Sequence, residues 1–427
     1  MVTKEEALDA HSRNKGKYEI VSKVPVASAA DLSTYYTPGV AYVSQAIAGQ
    51  RGLAYEYTTK ANSIAIVSDG TRILGLGDIG PEAGLPVMEG KAILFKKFGG
   101  VDAIPICIGT KDEDEIVKLV TWLAPTFGAV NIEDISSPKA FRVVERLSST
   151  LDIPVFHDDN HGTGVVALAG LINAFRLAGK GKDARIVVNG SGSAGMGISR
   201  QLLAAGFRNL IVVDSKGAIY EGRDNEQNPY KADLAKVTNA ERRSGGLGDV
   251  VAGADALIGA SAKGAFTKDM IALMADKPVV FALANPESEI EYESAKDAGA
   301  FVVATGRSDR PNQVNNLLAF PGIMRGLLDS RAKEVNARTL NAAAMTIAKS
   351  VGSRLSQEFI MPSFTDRSMA IKVASSVAEA VAQETARQGL ARLNPEKGAV
   401  KAHTREILKR YSKLERRLVK NEASGSA

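Results

Sequence analysis

Ala184-Arg185-Ile186-Val187-Val188-Asn189-Gly190-Ser191-Gly192-Ser193-Ala194-Gly195 is the stretch on which the fold turns. A short apolar run that breaks directly into glycines reads as a buried strand entering a tight turn. Beyond it, Ile198, Leu202 and Leu203 fall on one face of a helix. Such a helix start offers free N–H groups to an anion, and the glycines let a pyrophosphate come close to the backbone. Gly190, Gly192, Ser193, Ala194 and Gly195 are therefore the expected cradle of a dinucleotide. Glycines at this spacing arise by chance in a chain that has 40 of them, so the strand before and the helix after carry the argument. Asp214 ends the next apolar run, Asn209 to Val213, where a carboxylate would bond a ribose hydroxyl. That carboxylate favours NAD over NADP, while Lys216 could neutralise the extra phosphate and narrows the preference.

Downstream, the same rhythm continues through Asp255 to Ile258, Pro278 to Leu283 and Phe301 to Ala304. Strands alternating with helices imply a parallel, right-handed, doubly wound sheet of Rossmann type. Upstream, a long apolar helix containing Val165 to Ile172 leads into the glycine loop, which places a boundary near residue 160. Before it, helical patterns at Pro38 to Ala48 and Glu113 to Leu123 alternate with strand-like runs at Ser63 to Ser68, Ile104 to Ile108 and Ala129 to Ile132. The expected fold is α/β in two domains, 1–160 for substrate and 161–390 for the dinucleotide, with a charged helical tail at 391–427. After Gly326 the chain turns alanine-rich and helical to about Gln388, interrupted around Met361 to Ser363. In the tail, Ile407, Leu408, Tyr411, Leu414 and Leu418 share a helix face and suggest a packed stripe, and Ala423 to Ala427 look disordered.

At 427 residues the chain exceeds what one core usually supports, and 45% hydrophobic with 24% charged residues argues against disorder. Met1 to Lys15 is polar and no apolar stretch is long enough to span a bilayer, so a cytoplasmic protein without membrane contact is expected. The single Cys107, in the apolar run Ala103 to Ile108, cannot form an internal disulfide and reads as a strand residue. The net charge of +5 is modest, and the basic segment Lys401 to Lys420 lacks the aromatic interleaving of a nucleic-acid surface.

Two acidic pairs stand at the ends of apolar runs: Glu133-Asp134 after Ala129 to Ile132, and Asp158-Asp159 after Ile153 to Phe156. Glu133, Asp134 and Asp159 offer hard oxygen ligands that suit Mg²⁺ or Mn²⁺. The four histidines, His11, His157, His161 and His403, are too scattered for zinc. His157 and His161 read equally as hydrogen-bonded loop residues or as catalytic ones. A glycine-laden loop, Ile73 to Gly80, follows Arg72 and permits close approach to a ligand.

These motifs resemble the malic enzymes, in order and in spacing. The resemblance rests on Tyr35-Tyr36-Thr37-Pro38-Gly39-Val40, Ser68 to Asp78, Gly90-Lys91, Ile132-Glu133-Asp134 and Phe156 to Thr163. Ala284-Asn285-Pro286, Gly306 to Asp309, Asn312 to Asn316 and Phe320-Pro321-Gly322 are similar to the small bacterial and archaeal branch. The resemblance spans roughly residues 15 to 385 and implies oxidative decarboxylation of L-malate to pyruvate and CO₂ with NAD(P)⁺ and Mg²⁺ or Mn²⁺. It implies Tyr36 as general acid, Lys91 as general base, Asp158 as the carboxylate beside the lysine, and Arg72 as the grip on a malate carboxylate. It further implies Glu133, Asp134 and Asp159 as metal ligands, Asn285, Asn315 and Asn316 around substrate or nicotinamide, and Ser261 against the cofactor. A homodimer, with active sites that borrow residues from the neighbouring copy, is implied too. Desolvation should lower the Lys91 pKa into a useful range, and a nearby cation should ease ionisation of Tyr36. Two alternatives stay open: malolactic chemistry that releases lactate with the cofactor retained, and a nucleotide-binding protein without turnover.

Overall fold

The computed structural model describes residues 2–223 and 228–424, with side chains through residue 416. The first of two sheets orders its strands β2-β1-β3-β4, with β1 at Ser63–Ser68, β2 at Asp102–Cys107, β3 at Ala129–Ile132 and β4 at Val155–His157. All its pairings are parallel. Every residue of β1 and β3 is buried, as a parallel strand covered on both faces requires. The chain leaves β1 for β2 and returns past β1 to β3, so the loops after β1 and β3 diverge and open a crevice at the strand ends. Asp69 follows β1, Glu133 follows β3 and Asp158 follows β4.

The second sheet runs β10-β9-β8-β5-β6-β7, with β5 at Ile186–Asn189, β6 at Leu210–Asp214, β7 at Gly217–Ala218, β8 at Ala256–Gly259, β9 at Val279–Ala282 and β10 at Val302–Thr305. All pairings are parallel except that of β7, a two-residue antiparallel addition to β6. Two residues carry no periodicity, which is why the sequence does not announce that strand. The topological reversal falls between β5 and β8, and the glycine loop leaves β5 at that point.

The helices after β10 do not stay with their own sheet. Helix Phe320–Asp329 lies against both helix Arg367–Arg387 and helix Pro81–Gly99 of the first unit. Gly322 and Gly326 permit this approach, because a Cβ at either would collide with the Ala374 or Ala378 carbonyl. The Phe320 ring packs on Phe95 at 4.6 Å between centroids, and one apolar cluster runs from Ile64 through these rings to Val188 and Phe281. Arg325, fully buried, pairs with Asp329 at 2.5 Å and bonds Asn62. Helix Ala399–Ser424 then lies on this layer through buried Val400 and Leu408, a Lys97–Glu415 pair at 3.2 Å, and His403 Nδ1 at 2.8 Å from Asp329 Oδ2. The Leu418 side chain and residues 425–427 lie outside the described residues.

Residues 2–62 contrast with all of this. Helices Lys4–Asn14, Ala29–Tyr35 and Gly39–Gly49 bury no residue, and Ile20, Tyr36 and Tyr42 are 90%, 70% and 73% exposed. Among the described residues, no helix is long and apolar enough to cross a membrane.

Candidate active site

Lys91 projects from helix Pro81–Gly99 into the crevice of the first sheet. Its Nζ lies 2.5 Å from Asp158 Oδ2 and 2.8 Å from Glu133 Oε1, with the side chain only 10% exposed. Asn316 Nδ2 donates to the same Asp158 oxygen at 2.5 Å, and the Phe320 ring lies 4.4 Å from the ammonium. Residues from both units therefore meet at one lysine. Asp158 opens a single π-type turn, Asp158–Gly162, a form that recurs at functional sites. A Cβ at Gly162 would strike the Asp158 carboxylate, so glycine there makes room for it. Asn131 Nδ2 donates to the other Glu133 oxygen at 2.8 Å.

The electrostatics correct one expectation. Burial alone would pull the Lys91 pKa down, yet Asp158 and Glu133 outweigh it and hold the ammonium above the ordinary lysine range. Burial pushes Glu133 and Asp158 up, with Lys91 opposing in both cases. Desolvation without partners lowers a lysine; desolvation between two carboxylates does not.

Asp134 adopts a left-handed backbone, φ 51°, a costly conformation for a residue with a side chain. Its carbonyl accepts from Arg72 N at 3.0 Å and its own N–H donates to Asp159 Oδ2 at 3.1 Å. Asp134 Oδ2 is buried with no hydrogen-bond partner, and burial, followed by repulsion from Asp159, pushes the carboxyl up to about 7. Asp159 has His157 Nε2 at 3.5 Å, and despite burial the imidazole keeps it below the ordinary carboxylate value. His161 Nδ1 accepts from His157 N at 3.2 Å, and burial takes its pKa down to about 3, so it is a neutral, hydrogen-bonded loop residue.

Among the described residues, no three His, Cys, Asp or Glu side chains stand as a group that could hold a metal ion. The donor chemistry still fits a hard divalent cation. Glu133, Asp134 and Asp159 supply oxygens alone, and the partnerless Asp134 Oδ2 is an acceptor buried where a missing positive charge is costly.

At the second switch point, Gly190 has φ 118°, and a Cβ there would collide with the Ala260 carbonyl. A Cβ at Gly195 would collide with the Gly190 carbonyl, so the loop needs both glycines to turn into helix Ser193–Ala204. Asn189, Gly190, Ser191, Asp214, Lys231 and Ser261 line a cavity of about 360 Å³ beside this loop. Ser193 Oγ lies 2.6 Å from Ser137 Oγ, which joins the dinucleotide loop to the segment after Asp134.

Asp214 is not a bare carboxylate. Arg223 reaches both of its oxygens at 2.9 Å, Lys231 Nζ approaches Oδ2 at 2.6 Å, and the Lys216 amide donates to Oδ1 at 2.9 Å. Those four donors fill the roughly four lone-pair sites of a carboxylate. Burial raises Asp214, but Arg223 and Lys231 outweigh it and hold the group well below the ordinary range. Lys216 thus contributes its backbone. Arg223 and Lys231 escape a sequence reading because no spacing rule ties them to Asp214.

The remaining candidates divide. Asn316 faces Asp158, whereas Asn315 Oδ1 accepts from Leu317 N at 2.9 Å and caps a short turn. Asn285 packs over Gly306, where a Cβ would meet its Nδ2 at 2.6 Å. The Asn285-Pro286 loop also touches the Arg72 loop: a Cβ at Gly75 would meet Pro286 Cδ at 3.2 Å. Arg72 is exposed and near enough to Asp134 to oppose the rise in its pKa. Tyr36 is not brought to Lys91. It stands on the exposed N-terminal segment, and among the described residues its side chain makes no hydrogen bond.

Two family models match the chain: the N-terminal domain of malic enzyme over residues 15–148 and the NAD binding domain of malic enzyme over residues 161–384. The bifunctional malic/malolactic enzyme of Bacillus subtilis is 50% identical over 409 residues, covering 95% of this chain and 99% of that protein. The NAD-dependent malic enzyme of Geobacillus stearothermophilus is 51% identical over 379 residues, covering 88% of this chain and 78% of the other. The crystal structure of malic enzyme from Pyrococcus horikoshii matches with a TM-score of 0.94 at 45% identity, covering 98% of each chain.

Proposed function

The chain belongs to the malic enzyme family of NAD(P)-dependent oxidoreductases, and from that premise we propose how its own residues turn L-malate into pyruvate and CO₂. The observation that carries the reading is Lys91 held between Asp158 and Glu133 in a crevice shared by both units. Arg72 grips one malate carboxylate at the crevice mouth. Lys91 takes the proton of the C2 hydroxyl as the hydride leaves for the dinucleotide. It can do so only as the neutral amine, after the ammonium held here has passed its proton to one of its carboxylate partners or to water, because an ammonium has no lone pair to accept another. Asp158, fixed by Asn316, balances the positive charge that Lys91 gains and keeps the amine aimed.

Glu133, Asp134 and Asp159 would hold Mg²⁺ or Mn²⁺. When bound, such a cation polarises the C2 oxygen and stabilises enolate charge as CO₂ departs. Tyr36 then delivers a proton to C3. Because Tyr36 is 70% exposed and apart from the Lys91 cluster, we assign it to the site of a neighbouring copy in a homodimer. The exposed helix Gly39–Gly49, with Val40 and Tyr42 in the open, is the surface that the second copy would cover.

Saturation of Asp214 by Arg223 and Lys231 removes the electrostatic basis for favouring NAD, so we propose that NAD⁺ and NADP⁺ are both accepted. A cytoplasmic location belongs to the same proposal, since the reaction draws on diffusible malate and dinucleotide. A second reading follows from the likeness to a bifunctional malic/malolactic enzyme: lactate could leave the same site with the cofactor retained.

Purified protein incubated with L-malate, Mn²⁺ and either NAD⁺ or NADP⁺ tests these readings together. Reduced cofactor equal to pyruvate supports the malic reaction; lactate without reduced cofactor favours the malolactic one. No turnover with either cofactor rejects both. Chelation by EDTA should abolish turnover while NADH binding persists, and turnover that survives chelation rejects the metal.

A further inference from the structure

We infer that Glu289 is a positioning residue that, as a carboxylate, ties together the two loops flanking the dinucleotide crevice. The inference rests on the dinucleotide reading of the glycine loop. Glu289 is fully buried. Its Oε1 accepts from Ser261 N at 2.8 Å and from Ser261 Oγ at 3.2 Å, and its Oε2 accepts from Ala284 N at 3.0 Å. Ser261 follows β8 and lines the cavity, while Ala284 follows β9 and precedes Asn285. One side chain thus bridges the ends of adjacent strands below the crevice. Asn189 Nδ2, at the end of β5, donates to Ser261 Oγ at 2.9 Å and brings a third strand end into the network.

Two further observations set this carboxylate apart from ordinary packing. A Cβ on Gly259 would collide with the Glu289 carboxyl group, so the end of β8 is shaped around it. Among the described residues no cation pairs with Glu289, and a buried carboxylate without one is stable only where donors satisfy it. Burial raises the carboxyl, and the N–H groups of Ala284 and Ser261 pull the other way. An aliphatic side chain would fill the space without that desolvation cost, but it would leave two backbone N–H groups unpaired and both loops free to shift. Glutamine has nearly the same shape, yet it must turn its NH₂ toward one of the two backbone N–H groups. The geometry therefore demands two acceptor oxygens.

The test is a fluorescence titration of the purified wild-type protein and of Glu289→Gln with NADH and NADPH, with thermal melting followed in parallel. We expect the folded variant to bind both nucleotides about tenfold more weakly, the equivalent of one lost buried hydrogen bond. The Michaelis constant for the nucleotide should rise with it, while that for malate stays within about twofold. A residue that only stabilised the fold would lower the melting temperature and leave the dissociation constants of folded protein unchanged, and that result overturns the proposal. If Glu289→Gln does not fold, Glu289→Asp, which keeps two acceptor oxygens on a shorter arm, is read by the same criterion. Failure of the wild-type protein to bind either nucleotide rejects the dinucleotide reading itself, and the proposal with it.

Discussion

Lys91 and Tyr36, the two residues assigned to proton transfer, occupy opposite extremes of the molecule. Lys91 is enclosed by groups from distant parts of the same chain: Glu133 after β3, Asp158 after β4, and Asn316 and Phe320 from beyond β10. Tyr36 stands on a segment, residues 2–62, in which nothing is buried. On the proposed assignments, the contrast teaches that one polypeptide brings together the base and the carboxylates but leaves the acid apart. An apolar helix such as Gly39–Gly49 left bare is an incomplete surface, and the proposed second copy would cover it and complete the site together.

The largest expected effect is at the buried pole. Lys91→Ala should reduce kcat by roughly 10²–10⁴-fold while NADH still binds, as read by steady-state rates beside fluorescence titration. A variant that retains most of its turnover would remove Lys91 from the chemistry. At the exposed pole, Tyr36→Phe should cost on the order of 10²-fold in kcat. Mixing it with Lys91→Ala under conditions of subunit exchange should restore about a quarter of wild-type activity, because half of the random dimers are mixed and each carries one intact site. No recovery, together with a monomeric mass in solution, would break the comparison.

Lys231 lies between these poles, about one-fifth exposed at the rim of the dinucleotide cavity. Lys231→Glu should weaken NADP⁺ about tenfold and NAD⁺ much less, since only the former brings a phosphate to this cation. Equal losses for the two would place Lys231 outside phosphate recognition.

The smallest effect concerns stability. The Asp134 carboxyl, pushed up to about 7 in the fold, titrates near ~3.9 when unfolded. Between those values the folded state holds the extra proton, so this group's contribution falls as pH rises from about 4 to about 7. Asp134→Asn removes that slope. In metal-free protein the melting temperature of the variant should gain on the wild type across this window, by a few degrees at most, and then level off. A difference independent of pH would show that Asp134 does not titrate there.

Much of this architecture was legible in the sequence. Ser63–Ser68 and Ala129–Ile132 fold as the strands expected, because a doubly covered strand must be apolar throughout and that run is visible. The glycine loop was legible because only glycine fits where a Cβ would meet the Ala260 carbonyl. Strand β7 was not, being too short for any period, and β2 begins at Asp102 because it pairs with Ser63 on β1, a partner far away in sequence.

The candidate residues followed the same division. Acidic pairs at the ends of apolar runs drew attention to Glu133, Asp134, Asp158 and Asp159 in the sequence, whereas Lys91, which lies inside a helix, was singled out only by the resemblance to malic enzymes. The tertiary structure decided what surrounds them. It chose Asn316 over Asn315, covered Asp214 with Arg223 and Lys231, and raised the Lys91 pKa that burial by itself would have lowered. A residue's type and its local periodicity are properties of a few neighbouring positions, and sequence carries them. A pKa, a saturated carboxylate or an exposed tyrosine depends on which distant atoms arrive within a few ångströms, and only the folded chain decides that.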